Sequence, residues 1–334
     1  MDGMYFTEEH QLFRASLKEF LKKEVVPHIE KWEKSGTIER FIWKKFGEMG
    51  YFGLATPEAY DGLDLDLFYT VILLEELQKV NSGGFAAAMW AHAYLAMTHL
   101  NKEASHEQRL KYLKPSVAGE KIGCLCVTEP FGGSDVAGMR TTAIKQGDTY
   151  VINGSKTFIT NGVYCDYMIV AAKTSPELNH KGISIFIVDK ETKGVSVSKL
   201  DKLGWRASDT AEIAFDNVKV PKENRIGEDG FGFKFAMKTL SGGRIGIASQ
   251  ALGIASGAYE LALKYSKERK AFGKEISKHQ AIAFKLADMA TQIEAARHLC
   301  IKAAWDKDQK QNYDLSGAMA KLYAADMAMQ ITIE

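Results

Sequence analysis

The chain has 334 residues, 46% hydrophobic, 25% charged and 10% aromatic, with 29 glycines and six prolines. This length implies about two to three domains, and the composition excludes wholesale disorder, collagen-like repeats and low-complexity arrays. With 43 basic and 42 acidic residues the net charge is +1, so the chain as a whole is not expected to bind nucleic acid or a membrane surface.

The charge is uneven. Residues 1–121 carry 15 basic and 18 acidic groups, 122–230 carry 13 and 14, and 231–334 carry 15 and 10. The basic last third could receive phosphates or simply be a solvated helical surface. Cys124, Cys126, Cys165 and Cys300 form no CxxC pair and no zinc-like spacing, so reduced, packed thiols are expected and no metal site is. The opening MDGMYFTEEH has neither a signal core nor transit character. No run of 18 uninterrupted apolar residues occurs, so a cytoplasmic protein without a membrane span is expected.

The first third reads as helical. Leu12, Phe13, Leu17, Phe20, Leu21, Val25, Ile29 and Trp32 recur at steps of three and four, with Thr7 as N-cap and Ser35-Gly36 as the stop. Shorter helices are predicted near 40–49, 66–80, 84–100 and 105–118. From about 121 to 230 the pattern alternates and is β-branched, with strands predicted at 149–153, 167–172, 183–188, 195–199 and 211–220. Turn signals such as Gln146-Gly147-Asp148 separate them. No long helix intervenes, which points to an antiparallel sheet rather than a βαβ nucleotide fold. Helices follow at 231–240, 244–269, 278–308 and 315–334. The second is so rich in Gly, Ala and Ser that close packing by neighbours is expected. The fold class is α+β: an N-terminal helical domain (1–121), a central antiparallel β-domain (122–230) and an incomplete C-terminal helical bundle (231–334).

Four clusters could carry chemistry. Gly227–Gly232 precedes a helix, but it is not GxGxxG and no Walker lysine follows, so a plain loop is favoured. Thr128–Asp135 combines short polar side chains with Gly132-Gly133, which suits either a tight turn or a ligand approach. Arg244 lies behind Ser241-Gly242-Gly243. Arg269–Gly273 places a basic pair before Gln280. The histidines form no metal pattern and no GxSxG elbow is present.

Read together, CVTEPFGGSDVAG (126–138), KTFITNG (156–162), KLGWRASDTAEIAFDNVKVP (202–221), GGRIGIASQALG (242–253) and RKAFGKEISKHQ (269–280) resemble the flavin-dependent acyl-CoA dehydrogenase family, across nearly the whole chain and nearest its short-chain, butyryl-CoA type. The resemblance implies FAD. Leu125, Val127, Thr128, Gly133 and Ser134 would line the isoalloxazine, Phe158 would stack on it, and Ile159 and Thr160 would sit near N5. Arg269, Phe272 and Gln280 would reach the diphosphate and adenosine, commonly across a dimer interface. Ser134, Ser241 and Arg244 would meet the CoA part of an acyl-CoA substrate. The implied reaction is α,β-dehydrogenation of a short- to medium-chain acyl-CoA to the trans-2-enoyl-CoA, with hydride passing to N5. The implied partners are an electron-transferring flavoprotein and further copies of the chain in a homotetramer. An oxidase using oxygen, or a non-catalytic flavin or acyl-CoA binding protein, are the competing readings.

The family's usual base, a glutamate in a Tyr-Glu-Gly-Thr-like loop near the C-terminus, has no counterpart in these residues. The alternative position, directly before the bundle arginine, is Gly243. No catalytic residue is therefore assigned, Glu129 reads as a structural acceptor, Glu334 as a solvated residue, and the chain as a shortened family member. Met89, Trp90 and Tyr94 fall where the family shapes its acyl pocket; they either shorten it or pack ordinarily.

Overall fold

A computed structural model describes residues 5–334. The helices of the first third are α1 (Glu8–Phe20), α2 (Ile29–Ser35), α3 (Arg40–Glu48), α4 (Leu67–Gln78), α5 (Gly83–Trp90), α6 (Met97–Glu103), α7 (His106–Gln108) and α8 (Lys114–Val117). Thr7 caps α1 as predicted: its side chain accepts from the His10 N–H, and His10 Nδ1 accepts from the Thr7 N–H. The long periodic run behind it is not one uniform helix. A π-helical turn at Leu21–Val25 and a 3₁₀ turn containing Pro27 separate α1 from α2, because proline cannot donate to the helical ladder.

The strands are β1 (Gly123–Cys126), β2 (Thr142–Gln146), β3 (Thr149–Thr160), β4 (Tyr167–Lys173), β5 (Ile183–Asp189), β6 (Val195–Lys199), β7 (Thr210–Pro221) and β8 (Arg225–Ile226). They form one sheet in the order β6-β7-β3-β2-β4-β5-β8, with β1 beside β4. Most pairings are antiparallel, but β1 and β2 each run parallel to β4. The sequence pattern missed β1 and β2. The run GCLC has no β-branched residue and TAIKQ closes on two polar residues, so neither shows the β-branched alternation that marks β6. The inward face buries Cys124, Cys126, Ile152, Ile159, Met168, Val170, Phe186, Ile213 and Val218.

The last third contains α9 (Gly232–Glu268), a two-residue hairpin of β9 (Lys270–Ala271) and β10 (Lys274–Glu275), α10 (Gln280–Asp308) and α11 (Asp314–Ile333). The helices expected at 231–240 and 244–269 are one continuous helix, α9.

By compactness the described chain forms two units, each drawing on separate stretches. One comprises residues up to Ile29, Leu65–Ala86 and Ser241–Glu334; the other comprises Glu30–Asp64 and Ala87–Leu240. In the first, α4 lies against α9 so closely that a Cβ added to Gly253 would stand 2.2 Å from the Glu75 carbonyl oxygen. The small residues of α9 are thus a condition of packing. In the second, helices surround the sheet. Buried His92 fixes one junction: the Gly123 N–H donates to its Nδ1 (3.0 Å) and its Nε2 donates to the Ser116 carbonyl (3.2 Å). All four cysteines are free and buried, and no described helix is long and apolar enough to cross a membrane.

Candidate active site

The central feature of the sheet unit is an irregularity in β3. Pairing with β7 shifts register twice, between Ile152 and Gly154 and again between Lys156 and Ile159. A bulge of this kind bends a strand and re-aims a side chain. Here it turns Phe158 outward at φ 58°, leaving the ring 70% exposed, while Ile159 returns to the sheet core. A left-handed conformation costs a non-glycine residue roughly 1–2 kcal/mol. An exposed aromatic held in that state is suited to meeting a flat partner rather than to stabilising the fold.

The segment that follows β1 is fastened beside the bulge. Lys156 Nζ donates to the Val127 carbonyl (3.1 Å) and to Glu129 Oε1 (2.8 Å), and the Thr157 N–H donates to the Thr128 carbonyl (2.9 Å). Glu129 Oε2 accepts from the Arg140 N–H and Oε1 from the Thr141 N–H. Burial alone would raise the Glu129 pKa, but Lys156 and these donors outweigh it and hold the carboxylate below its usual range. Glu129 is therefore the structural acceptor that the sequence suggested. A general base would need an ordinary or raised pKa and a free oxygen.

Beyond this fastening the chain opens. Gly133 is exposed, and a Cβ built on it would rest 3.6 Å from Thr128 Cγ2, an ordinary contact that leaves its outer side clear. Phe131 stacks under the Arg140 guanidinium, 4.0 Å from its ring centroid. Ser134 is exposed, and Asp135 caps the Gly138 N–H at 3.0 Å. Leu125 and Val127 alternate with buried Cys124 and Cys126, so they lie on the opposite face of β1. Thr128, Gly133, Ser134, Phe158 and Thr160 thus belong to one region of one unit. Ile159 can offer only its backbone there.

The other expected residues fall in the helical unit, in two places. Ser241 and Arg244 lie in the first half of α9, with Arg244 Nη1 donating to Ser241 Oγ (3.4 Å). Arg269 follows the end of α9, so along that helix it stands about 37 Å from Arg244. Phe272, at φ 51° and 96% exposed, tips the β9–β10 hairpin, and Gln280 is the exposed first residue of α10. Within one chain Arg244 and Arg269 therefore cannot serve one phosphate group. The Gly227–Gly232 cluster is a structural loop. Asp229 Oδ1 accepts from Thr174 and Ser184 hydroxyls at 2.6 Å each, and a Cβ at Gly232 would meet Ser184 Cα at 2.8 Å.

Lys156 was not singled out from the sequence, although a lysine at an inward position of an alternating strand is the signal that could have found it. Asp209 was also missed: fully buried, it accepts from the Val163 and Tyr164 N–H groups, and burial raises its pKa to about 6. A groove of about 460 Å³ lies elsewhere, between Gln108–Tyr112 and β5 and β7, and contains none of the expected residues. Its mixed lining, Lys111 and Lys219 against Asp189 and Glu223, selects no ligand. No group of three or more potential metal ligands occurs among the described residues.

Models of the N-terminal, middle and C-terminal domains of acyl-CoA dehydrogenase match residues 7–120, 124–218 and 230–334, and the chain belongs to that family. It is 44% identical to the short-chain specific acyl-CoA dehydrogenase of Clostridium acetobutylicum, over 98% of this chain and 86% of the relative. It is 43% identical to a subunit of the caffeyl-CoA reductase–Etf complex of Acetobacterium woodii, over 98% and 87%. Butyryl-CoA dehydrogenase from Megasphaera elsdenii has the same fold, with a TM-score of 0.95 and 40% identity over 100% of this chain and 88% of that one.

Proposed function

We propose that this oxidoreductase catalyses α,β-dehydrogenation of a short- to medium-chain acyl-CoA to the trans-2-enoyl-CoA. The observation that carries this reading is the pairing of an outward-turned Phe158 on a β-bulge with the fastened Val127–Glu129 segment, in a chain that belongs to the acyl-CoA dehydrogenase family. Its cofactor is FAD. The residues fit that group: an uncovered aromatic ring in strained backbone, an open glycine turn and short polar side chains beside it.

When bound, FAD supplies the hydride acceptor, at N5. Phe158 would present its face to the ring system. Thr128 and Thr160 would offer hydroxyl donors to its polar edge, and Leu125, Val127, Gly133, Ser134 and the Ile159 backbone would complete the wall. Arg269, Phe272 and Gln280 would bind the diphosphate and adenosine of FAD held by another copy of the chain, which the 37 Å separation from Arg244 favours. Arg244, Ser241 and Ser134 would bind the CoA part of the substrate. No carboxylate here is assigned as base: Glu129 is committed to Lys156, and exposed Glu334 is paired with Lys285.

Electrons would leave to an electron-transferring flavoprotein, a reading that the Acetobacterium relative supports. Since that relative is a reductase, the opposite direction, reduction of an enoyl-CoA, is the second reading. The test is anaerobic titration with butyryl-CoA and, after chemical reduction, with crotonyl-CoA, followed by acceptor reduction and peroxide formation. Bleaching of the flavin by butyryl-CoA supports dehydrogenation. Reoxidation by crotonyl-CoA without bleaching by butyryl-CoA supports the reductase. Peroxide in place of acceptor reduction would identify an oxidase, and binding with neither bleaching by butyryl-CoA nor reoxidation by crotonyl-CoA would overturn catalysis.

A further inference from the structure

The Lys156–Glu129 pair lies where the sheet cannot hold itself. The β3–β7 ladder is interrupted between Lys156 and Ile159, so Thr157 and Phe158 lack regular cross-strand partners. Beside this interruption the pair ties β3 to the segment that follows β1. Lys156 is fully buried and Glu129 is 5% exposed, and apart from each other their hydrogen-bond partners are backbone groups of residues 127, 140 and 141. A buried ion pair is a poor stabiliser, since apolar residues of similar volume do as well or better. Its distinctive property is direction: fixed donors and acceptors that place three chain segments relative to one another. With the Thr157 N–H on the Thr128 carbonyl, the carbonyls of residues 127 and 128 and the carboxylate of residue 129 are all gripped from Lys156-Thr157. Thr128 lies within this grip, and Phe158 is the next residue beyond it.

We propose that the buried Lys156–Glu129 pair is the positioning element of the flavin site: it sets Thr128 against Phe158 and thereby sets how tightly reduced FAD is held relative to oxidised FAD. This rests on the FAD reading above. Reduction places negative charge on the pyrimidine side of a flavin, so displaced donors at that edge penalise the reduced form more than the oxidised one. Neither residue touches the cofactor; both act through the loop they hold.

The experiment uses the holoprotein and the charge-balanced variant Lys156→Met/Glu129→Leu, with Glu129→Gln as a milder second variant. FAD affinity is measured by titrating apoprotein with the cofactor, the midpoint potential by equilibration with a redox dye, and the melting temperature on the same samples. The double variant is expected to shift the ratio of reduced to oxidised FAD affinity about tenfold against the reduced form. For a two-electron couple this lowers the potential by about 30 mV. Glu129→Gln is expected to shift it in the same direction by less, and decides the matter if the double variant does not fold. A fall in melting temperature with an unchanged potential would show the pair to be merely structural and overturn the proposal. Failure of the unaltered protein to bind FAD would overturn the flavin reading itself, and this proposal with it.

Discussion

Two clusters of buried charge invite comparison. In the helical unit, Glu75 is held by Arg297 (2.7 Å), Arg14 (3.2 Å) and Lys79 (3.8 Å), while Glu76 takes Arg14 and Lys79. Burial opposes the Glu75 charge, but Arg297, Arg14 and Lys79 together outweigh it and keep its pKa low. In the sheet unit one lysine faces one glutamate. The first cluster joins side chains from α1, α4 and α10 and so fixes helix register. The second spends its hydrogen bonds on backbone and so fixes a loop. The same physics serves packing in one place and a binding surface in the other, and the partners, not the depth of burial, show which.

The comparison can be broken most severely at Gly253. Gly253→Val forces a side chain against the Glu75 carbonyl and is expected to cost roughly 4 kcal/mol or more, or to prevent folding. Gly204→Ala, with nothing within 4 Å of the added atom, should leave urea unfolding within about 0.5 kcal/mol of the parent. Next comes Glu75→Ala, which strands Arg14 and Arg297 and should cost about 3–5 kcal/mol by the same measurement. If the cost is small, the network does not fix the helices.

A third effect follows from pH. His92 and His99 are buried, and burial lowers the pKa of each to about 4 from an ordinary 6.5. The unfolded chain therefore binds these protons first, and stability falls as pH drops from about 6.5 toward 4, by up to about 3 kcal/mol per histidine. Asp209, raised to about 6, works the opposite way: its contribution is present at low pH and is lost as pH rises through 6. The two His99 ring nitrogens have no hydrogen-bond partner. His99→Leu is therefore expected to stabilise by about 1–2 kcal/mol near neutrality and to flatten the acid limb of the melting-temperature profile. An unchanged limb would mean that His99 is already protonated or solvated.

The smallest effect on stability is expected at Phe158. Phe158→Gly removes an exposed ring and relieves a left-handed residue, so the melting temperature should hold or rise. FAD affinity should fall several-fold, in line with the roughly 0.5–1.5 kcal/mol of an aromatic contact. A loss of stability with unchanged FAD affinity would return Phe158 to an ordinary packing role and remove the contrast between the two clusters.

The α, β, α order was legible because it depends on local periodicity: steps of three and four before residue 121 and after 230, alternation between them. Thr7 as a cap and Glu129 as an acceptor were legible for the same reason, since each acts within its own stretch or in a recognisable motif. Three things were decided only by tertiary structure. The bulge that exposes Phe158 is a mismatch between β3 and β7, which neither strand encodes alone. Lys156 finds Glu129 across 27 residues of chain, so its burial is invisible to any local pattern. The two helices expected at 231–240 and 244–269 merge into a continuous α9, because glycine's propensity cost of about 1 kcal/mol per residue is outweighed by packing. Local sequence determined which segments are helix or strand and which motifs could meet a cofactor; distant partners determined which of those residues face outward.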